Sequence, residues 1–326
     1  MKKYVSLLLF ALLLNGCDDG DLTVDTIDFD EVTSTSCDTT NTLIYKLKTQ
    51  EALLLQMLPK SIINEDKDTI VYNIDDTNYR VLYRAYNGTV AKENICGTIP
   101  PKTPSVTEEW IGIAGKIQIA TAAVYKTPAP TDGHTEIIGY NHNIIFKNIT
   151  FSKPSGPQVE VEYPFGDFKT DVTPIVVNFT NPDVAKQCTI TNKVFNDNGI
   201  TSLAIENFDT ATLFVNEPTP VGQPRKGLIN QNNKNNLFYK VYATLLPTKT
   251  EDYICAATPP SSPIVRDTWV GVDGVQNVSG IIEVTTTTAV NTFYHKVVLR
   301  NVTLKKGNNT FKLATEFSLG TVTITP

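Results

Sequence analysis

Histidine is scarce in this 326-residue chain, with three residues at positions 134, 142 and 295. So few imidazoles argue against a multi-histidine metal enzyme. Basic charge is not in excess either: 28 Lys and Arg stand against 34 Asp and Glu, and a moderately acidic surface argues against nucleic acid as a partner. Long apolar runs are missing too. No stretch approaches 18 apolar residues, so no transmembrane helix is expected.

What is present starts at the N-terminus. Lys2 and Lys3 precede an apolar run at 5–14, which ends at Asn15-Gly16-Cys17. A positive head and a run too short to span a bilayer describe an export signal. Leu14, Gly16 and Cys17 resemble the lipobox read by the lipoprotein signal peptidase, and only Asn15 departs from the commonest pattern. That resemblance implies cleavage before Cys17, a diacylglycerol on its sulfur and an acylated amine. Two or more acyl chains anchor durably, at roughly 0.8 kcal/mol per buried CH₂. The competing reading is a plain secreted protein with a coincidental cysteine. Removing 1–16 leaves 26 basic against 34 acidic residues, a net charge of minus 8.

Five cysteines in an exported chain divide into one plus four. Cys17 goes to lipid, which leaves Cys37, Cys96, Cys188 and Cys255 as an even set for an oxidising compartment. A self-comparison chooses among their three connectivities. Aligning Cys96 with Cys255 also aligns Pro100-Pro101 with Pro259-Pro260, Trp110 with Trp269, Gly112 with Gly271 and Gly115 with Gly274, without a gap. Upstream, YRAY at 83–86 falls on YKVY at 239–242, and Ile27-Asp28-Phe29 on Val177-Asn178-Phe179. Downstream, HNIIFKNIT at 142–150 falls on HKVVLRNVT at 295–303, and EYPFG at 162–166 on EFSLG at 316–320. The chain reads as a domain written twice: signal 1–16, lipidated Cys and tether 17–25, first copy 26–170, second copy 171–326. Each copy holds one cysteine near its start and one in its middle. The economical pairing is Cys37 with Cys96 and Cys188 with Cys255.

The secondary structure reads as strand after strand. Segments 69–74, 80–86, 115–120, 143–151, 158–163, 237–243, 280–286, 293–304 and 321–325 are rich in Val, Ile, Thr, Tyr and Phe, with turn-formers such as Asn87-Gly88, Asp132-Gly133 and Asn198-Gly199 between them. QEALLLQML at 50–58 is helical by propensity. Its aligned counterpart TATLFVN at 210–216 is strand-like and Pro soon follows both, so both are read as buried strands. The fold class expected is all-β: two tandem duplicated antiparallel β-sandwich domains, with barrel closure as the alternative.

Strand alternation sets Glu108, Trp110 and Gly112 on one face and Ile111 and Ile113 on the other, and Asp267, Trp269 and Gly271 against Val270 and Val272 in the second copy. If the aliphatic face is the core, each Trp lies outward beside a carboxylate as a sugar-stacking platform. If the Trp face is the core, each ring packs between sheets, and this is the favoured expectation. His142 and His295 hold equivalent places and read as strand-end histidines bonded to the backbone. Acidic clusters at Glu65-Asp66-Asp68 and Asp75-Asp76, and the Asn196–Gly199 run, lack EF-hand spacing and read as exposed turns. The runs 128–133 and 231–236 read as mobile loops. Asn148-Ile149-Thr150 and Asn301-Val302-Thr303 match a glycosylation sequon that is read as strand chemistry alone.

Cys17 followed by Asp18-Asp19 and a duplicated body rich in Thr, Asn, Ile and Lys is similar to cell-envelope lipoproteins of the Bacteroidota, the flavobacterial kind in particular. The resemblance covers about the first twenty residues and implies display on the outer face of the outer membrane. In enteric bacteria an Asp after the cysteine implies retention at the inner membrane instead. No catalytic constellation is visible and no cofactor is expected. The function expected is a non-enzymatic binding or scaffold module, held to the membrane through the lipid on Cys17, for a glycan or an envelope protein. The alternative is a carboxylate-based hydrolase with its site between the two domains.

Overall fold

The computed structural model describes residues 26–325. The signal, Cys17 and Asp18-Asp19 lie outside the described residues. The described chain is all-β, built of antiparallel sheets with three one-turn helices. Its first half runs β1 (Thr35–Ser36), β2 (Leu43–Leu47), β3 (Glu51–Gln56), β4 (Ile70–Asn73), β5 (Arg80–Tyr86), α1 (Lys92–Cys96), β6 (Val106–Tyr125), β7 (Ile137–Ser152) and β8 (Gln158–Asp171). One sheet takes them all, in the order β1-β2-β3-β5-β6-β7-β8, with β4 on β6.

The second half runs β9 (Lys186–Cys188), β10 (Lys193–Asp197), β11 (Thr201–Glu206), α2 (Thr210–Leu213), β12 (Arg225–Leu228), β13 (Asn236–Tyr242) and α3 (Glu251–Ile254). It continues through β14 (Val265–Gly271), β15 (Ile281–Ala289), β16 (Thr292–Arg300), β17 (Thr303–Lys306), β18 (Asn309–Lys312) and β19 (Glu316–Ile324). Here the strands form two sheets, β18-β17-β14-β13-β11-β10-β9 and β12-β15-β16-β19.

Register ties the halves together position by position. Tyr83 pairs with both Leu53 and Trp110, as Tyr239 pairs with both Leu203 and Trp269. A bulge falls at Ala85/Tyr86 and again at Val241/Tyr242, and a second at Ile144/Ile145 and again at Val297/Val298. Asn148 and Asn301 adopt φ of 49° and 50°, the left-handed region that Asn tolerates best after Gly. Backbone geometry therefore accounts for the asparagine of both sequon-like triplets. In the second half this residue divides the expected strand 293–304 into β16 and β17.

Two expectations are corrected by the register. Gly115 does not correspond to Gly274: its carbonyl accepts the amide of Ile74 just as the carbonyl of Gly280 accepts the amide of Ile229. The step from Gly112 to Gly115 is matched by the longer step from Gly271 to Gly280, and the extra turn, closed by the Val275–Ser279 bridge, splits one long strand into β14 and β15. The segment 210–216 is not a strand but contains α2, because β11 already occupies the strand position beside β13. The true counterpart of β3 is β11.

The first half buries its main core between portions of its one sheet, and the second between its two sheets. In the first, Ile44, Leu53, Leu55, Val81 and Trp110 meet Ile117, Ile144, Phe146 and Phe165. In the second, Val194, Leu203, Ile205 and Trp269 meet Ile282, Val297, Leu299 and Leu319. A smaller apolar cluster covers the reverse face of each hairpin. There Tyr45, Leu54 and Leu82 pack under Cys37, Ile95 and Cys96, and Phe195, Ala204 and Tyr242 pack under Ile254 and Cys255. With both faces covered, β3 reads as a continuous apolar run instead of an alternation, which is why its sequence resembles a helix. The disulfides are Cys37–Cys96 and Cys188–Cys255, as the repeat predicts.

Candidate functional site

Trp110 and Trp269 are both 2% exposed, so neither offers a stacking platform and the outward reading is corrected. Trp110 packs against Tyr83 at 4.8 Å and Phe151 at 6.3 Å, and Trp269 against Phe311 at 4.9 Å. The glycines two residues on explain the fit. A Cβ on Gly271 would lie 2.8 Å from the Leu237 Cβ, and one on Gly112 3.2 Å from the Val81 carbonyl oxygen, so this face has room for one large ring and no second side chain. Glu108 accepts the Trp110 Nε1–H at 2.7 Å, whereas Asp267 pairs with Lys306 at 2.7 Å.

His142 and His295 are fully buried, and their partners are side chains, which corrects the backbone expectation. Each Nδ1 lies 2.9 Å from the hydroxyl of its cross-strand threonine, Thr121 or Thr286. Nε2 of His142 lies 3.0 Å from Thr170 Oγ1, and that of His295 3.3 Å from Asn216 Oδ1. Burial pushes His142 down to about 4 from its ordinary 6.5, and lowers His295 as well, with Arg225 adding repulsion. A folded state that resists protonation is destabilised once the unfolded chain takes up the proton. Stability is therefore expected to fall as pH drops from about 6.5 towards 4, by up to about 3 kcal/mol for His142. Urea midpoints across that range should flatten in His142→Gln; an equally steep decline in the variant would assign the effect to other groups.

The acidic turns cap backbone. Asp75 accepts the amides of Thr77, Asn78 and Tyr79, which hold its carboxyl far below the usual carboxylate range, and Asn198 Oδ1 accepts those of Ile200 and Thr201. Asn196, read as part of a turn, is instead a buried strand residue. Among the described residues no group of three or more His, Cys, Asp or Glu is placed to hold a metal ion, and no helix is long and apolar enough to cross a membrane.

A pocket between the halves, of about 150 Å³, is lined by Asp132, His134 and Thr135 on one side and Phe311, Leu313 and Phe317 on the other. His134 Nδ1 bonds Asp132 and its Nε2 bonds Glu136 at 3.1 Å. Partial burial opposes protonation of His134, but these two bonds outweigh it and raise the pKa. Both ring nitrogens of His134 are thus engaged, and the wall opposite is mostly apolar, with Lys312 between Phe311 and Leu313. Its loop, read as mobile, is pinned: the Asp132 carbonyl accepts the Thr315 amide at 2.8 Å.

A larger pocket, about 560 Å³, opens in the first half. It is lined by residues 30–34 ahead of β1, Lys46 of β2, Asn143 of β7, and Gly166, Asp167 and Lys169 of β8. Lys46 is 3% exposed, and its ammonium donates to the Phe29 carbonyl at 2.9 Å and lies 5.5 Å from the centre of the Phe165 ring. Gly166, at φ 92° in the bulge, makes the room: a Cβ there would sit 3.2 Å from Lys46 Nζ. Burial lowers the Lys46 pKa, and the carboxylates of Asp30 and Asp167 oppose that shift. Asn143 Nδ2 donates to Asp167 Oδ1 at 2.9 Å, and the Ser34 hydroxyl to the Asp167 carbonyl at 2.7 Å. Among the described residues the Lys46 ammonium thus uses one donor, on the Phe29 carbonyl, and retains two.

The same register position in the second half holds Asn196, since Lys46 pairs with Leu53 as Asn196 pairs with Leu203. Its amide donates to the carbonyls of Asn181 and Leu319, both at 2.9 Å. In the pocket beside it, Lys186 is held by Thr250, Asp197 and Glu251. That set satisfies itself, while the first-half set does not. Motif reading missed Lys46, for which the available signal was a charged residue inside the apolar run LIYKL.

Compared with models of protein families, with curated proteins and with solved structures, the chain matches none.

Proposed function

We propose that the chain is an envelope lipoprotein anchored at the outer membrane through lipid on Cys17. Its body would be two copies of one antiparallel β-sandwich domain, serving as a non-enzymatic binding module for a glycan. The Lys46 pocket carries this reading. A buried ammonium with donors to spare, the carboxylates of Asp30 and Asp167, and the amide of Asn143 converge on one polar cavity. Fixed donors and acceptors at that density suit a hydroxyl-rich ligand, where each sugar hydroxyl both gives and takes a hydrogen bond.

The test is calorimetric titration of soluble Cys17→Ser protein against a glycan panel. Lys46→Met and Asp167→Asn are each expected to weaken binding at least about tenfold, or about 1.4 kcal/mol. Lys46→Met leaves the buried Phe29 carbonyl without its donor, at a cost of about 1–3 kcal/mol, so urea midpoints of both variants are measured alongside to establish that the proteins titrated are folded. Absence of glycan binding by the parent, or binding unchanged in both variants, would refute the reading. Turnover of any substrate in an activity screen would overturn its non-enzymatic part.

A further inference from the structure

The edge strand β18 of the second half is capped by the first half. The Tyr125 hydroxyl donates to the Thr310 carbonyl at 2.7 Å. The Thr135 amide donates to the Lys312 carbonyl at 3.1 Å, and the Lys312 amide to Thr135 Oγ1 at 2.8 Å. The outward main chain of β18 is thereby occupied at Thr310 and Lys312.

Register identifies the equivalent edge in the first half. Thr150 pairs with Val159 as Thr303 pairs with Lys312, so Val159 stands where Lys312 stands, and Val161 lies two residues further on. Here β8 has β7 on one side. On the other side, among the described residues, neither Val159 nor Val161 has a main-chain partner. Their side chains are 59% and 71% exposed, and Ile113 on the same outer face is 51% exposed. An unprotected apolar edge is a template for another strand.

We propose that this edge is a self-association surface, on which β8 pairs antiparallel with β8 of a second copy about a two-fold axis at Glu160. The segment Val159-Glu160-Val161 reads the same in both directions. Antiparallel pairing centred on Glu160 therefore sets Val159 opposite Val161 of the second copy twice over, and each such pair exchanges two main-chain hydrogen bonds. The four valines meet on the outer face. Self-complementarity favours a second copy as the occupant, because an isologous contact needs the same patch on both partners.

The opposing cost is charge. Glu160 faces its own copy across the axis, although Gln158 Nε2 already donates to it at 2.7 Å and Lys147 pairs with nearby Glu162. Removing that charge should tighten the pair.

Sedimentation equilibrium of Cys17→Ser protein over rising concentration tests the proposal. A monomer–dimer equilibrium is expected, tightened by Glu160→Gln. It should be weakened at least about tenfold by Val159→Lys, the residue found at the capped edge, and by Val161→Pro, which removes an outward N–H. Both weakening variants sit at an exposed edge, and matching circular dichroism and urea midpoints establish that they fold. A parent that stays monomeric at every concentration overturns the proposal, as does a dimer whose dissociation constant neither weakening variant changes.

Discussion

Trp110→Ala is expected to lower the free energy of unfolding by about 3–5 kcal/mol, and Trp269→Ala by a similar amount, because each deletes a large ring from a packed core. The neighbours give the space little chance to close. Trp110 is held between Tyr83 and Phe151 across two strand pairings, and Gly112 beside it has no side chain to move in. The gentler change to phenylalanine should separate the two sites. Trp110→Phe loses the bond to Glu108, worth about 1 kcal/mol or more with a charged acceptor, whereas Trp269 Nε1 has no acceptor among the described residues. Urea unfolding of the four variants measures this. A Trp110→Ala protein as stable as its parent but unable to bind glycan would restore the stacking platform that burial has removed.

Opening either disulfide is expected to cost about 4 kcal/mol, since the bridges close loops with sequence separations of 59 and 67 residues in the unfolded chain. The loss has a local side as well. Cys96 ends α1 and Cys255 directly follows α3, and without its bridge each one-turn helix is held to the reverse face of its hairpin only by apolar contacts such as those of Ile95 or Ile254. The two clusters share no residues, so the costs of Cys37→Ala/Cys96→Ala and Cys188→Ala/Cys255→Ala should add. Together they approach the whole stability of an ordinary domain. Equilibrium unfolding of the two double variants and their combination checks both claims. A cost under about 1 kcal/mol for either bridge would show that the unfolded chain is already constrained there.

Much of the fold was legible in residues. The all-β class followed from Val, Ile, Thr and Tyr punctuated by Asn-Gly and Asp-Gly turns, and the cysteine pairing followed from matching anchors around Cys96 and Cys255. Even the helix-like run at 50–58 was placed correctly as a strand. Its supposed partner at 210–216 was not, because a gapped alignment carries no register and β11 had already filled that place. The candidate site was the least legible part. Lys46 is one lysine among many in sequence, and its character comes from Phe29, Gly166 and Asp167, which lie far from it along the chain.

Sequence by itself determined the period-2 alternation around Trp110, the covalent partners of four cysteines and the all-β class. Tertiary structure alone decided which side of that alternation is the core. Alternation distinguishes two faces but gives no sign to either when both are apolar, and here a disulfide-tied helix covers the reverse face of each hairpin. Tertiary structure also decided which of two equivalent edges is capped, since only the fold brings Tyr125 and Thr135 onto β18 and leaves Val159 and Val161 open.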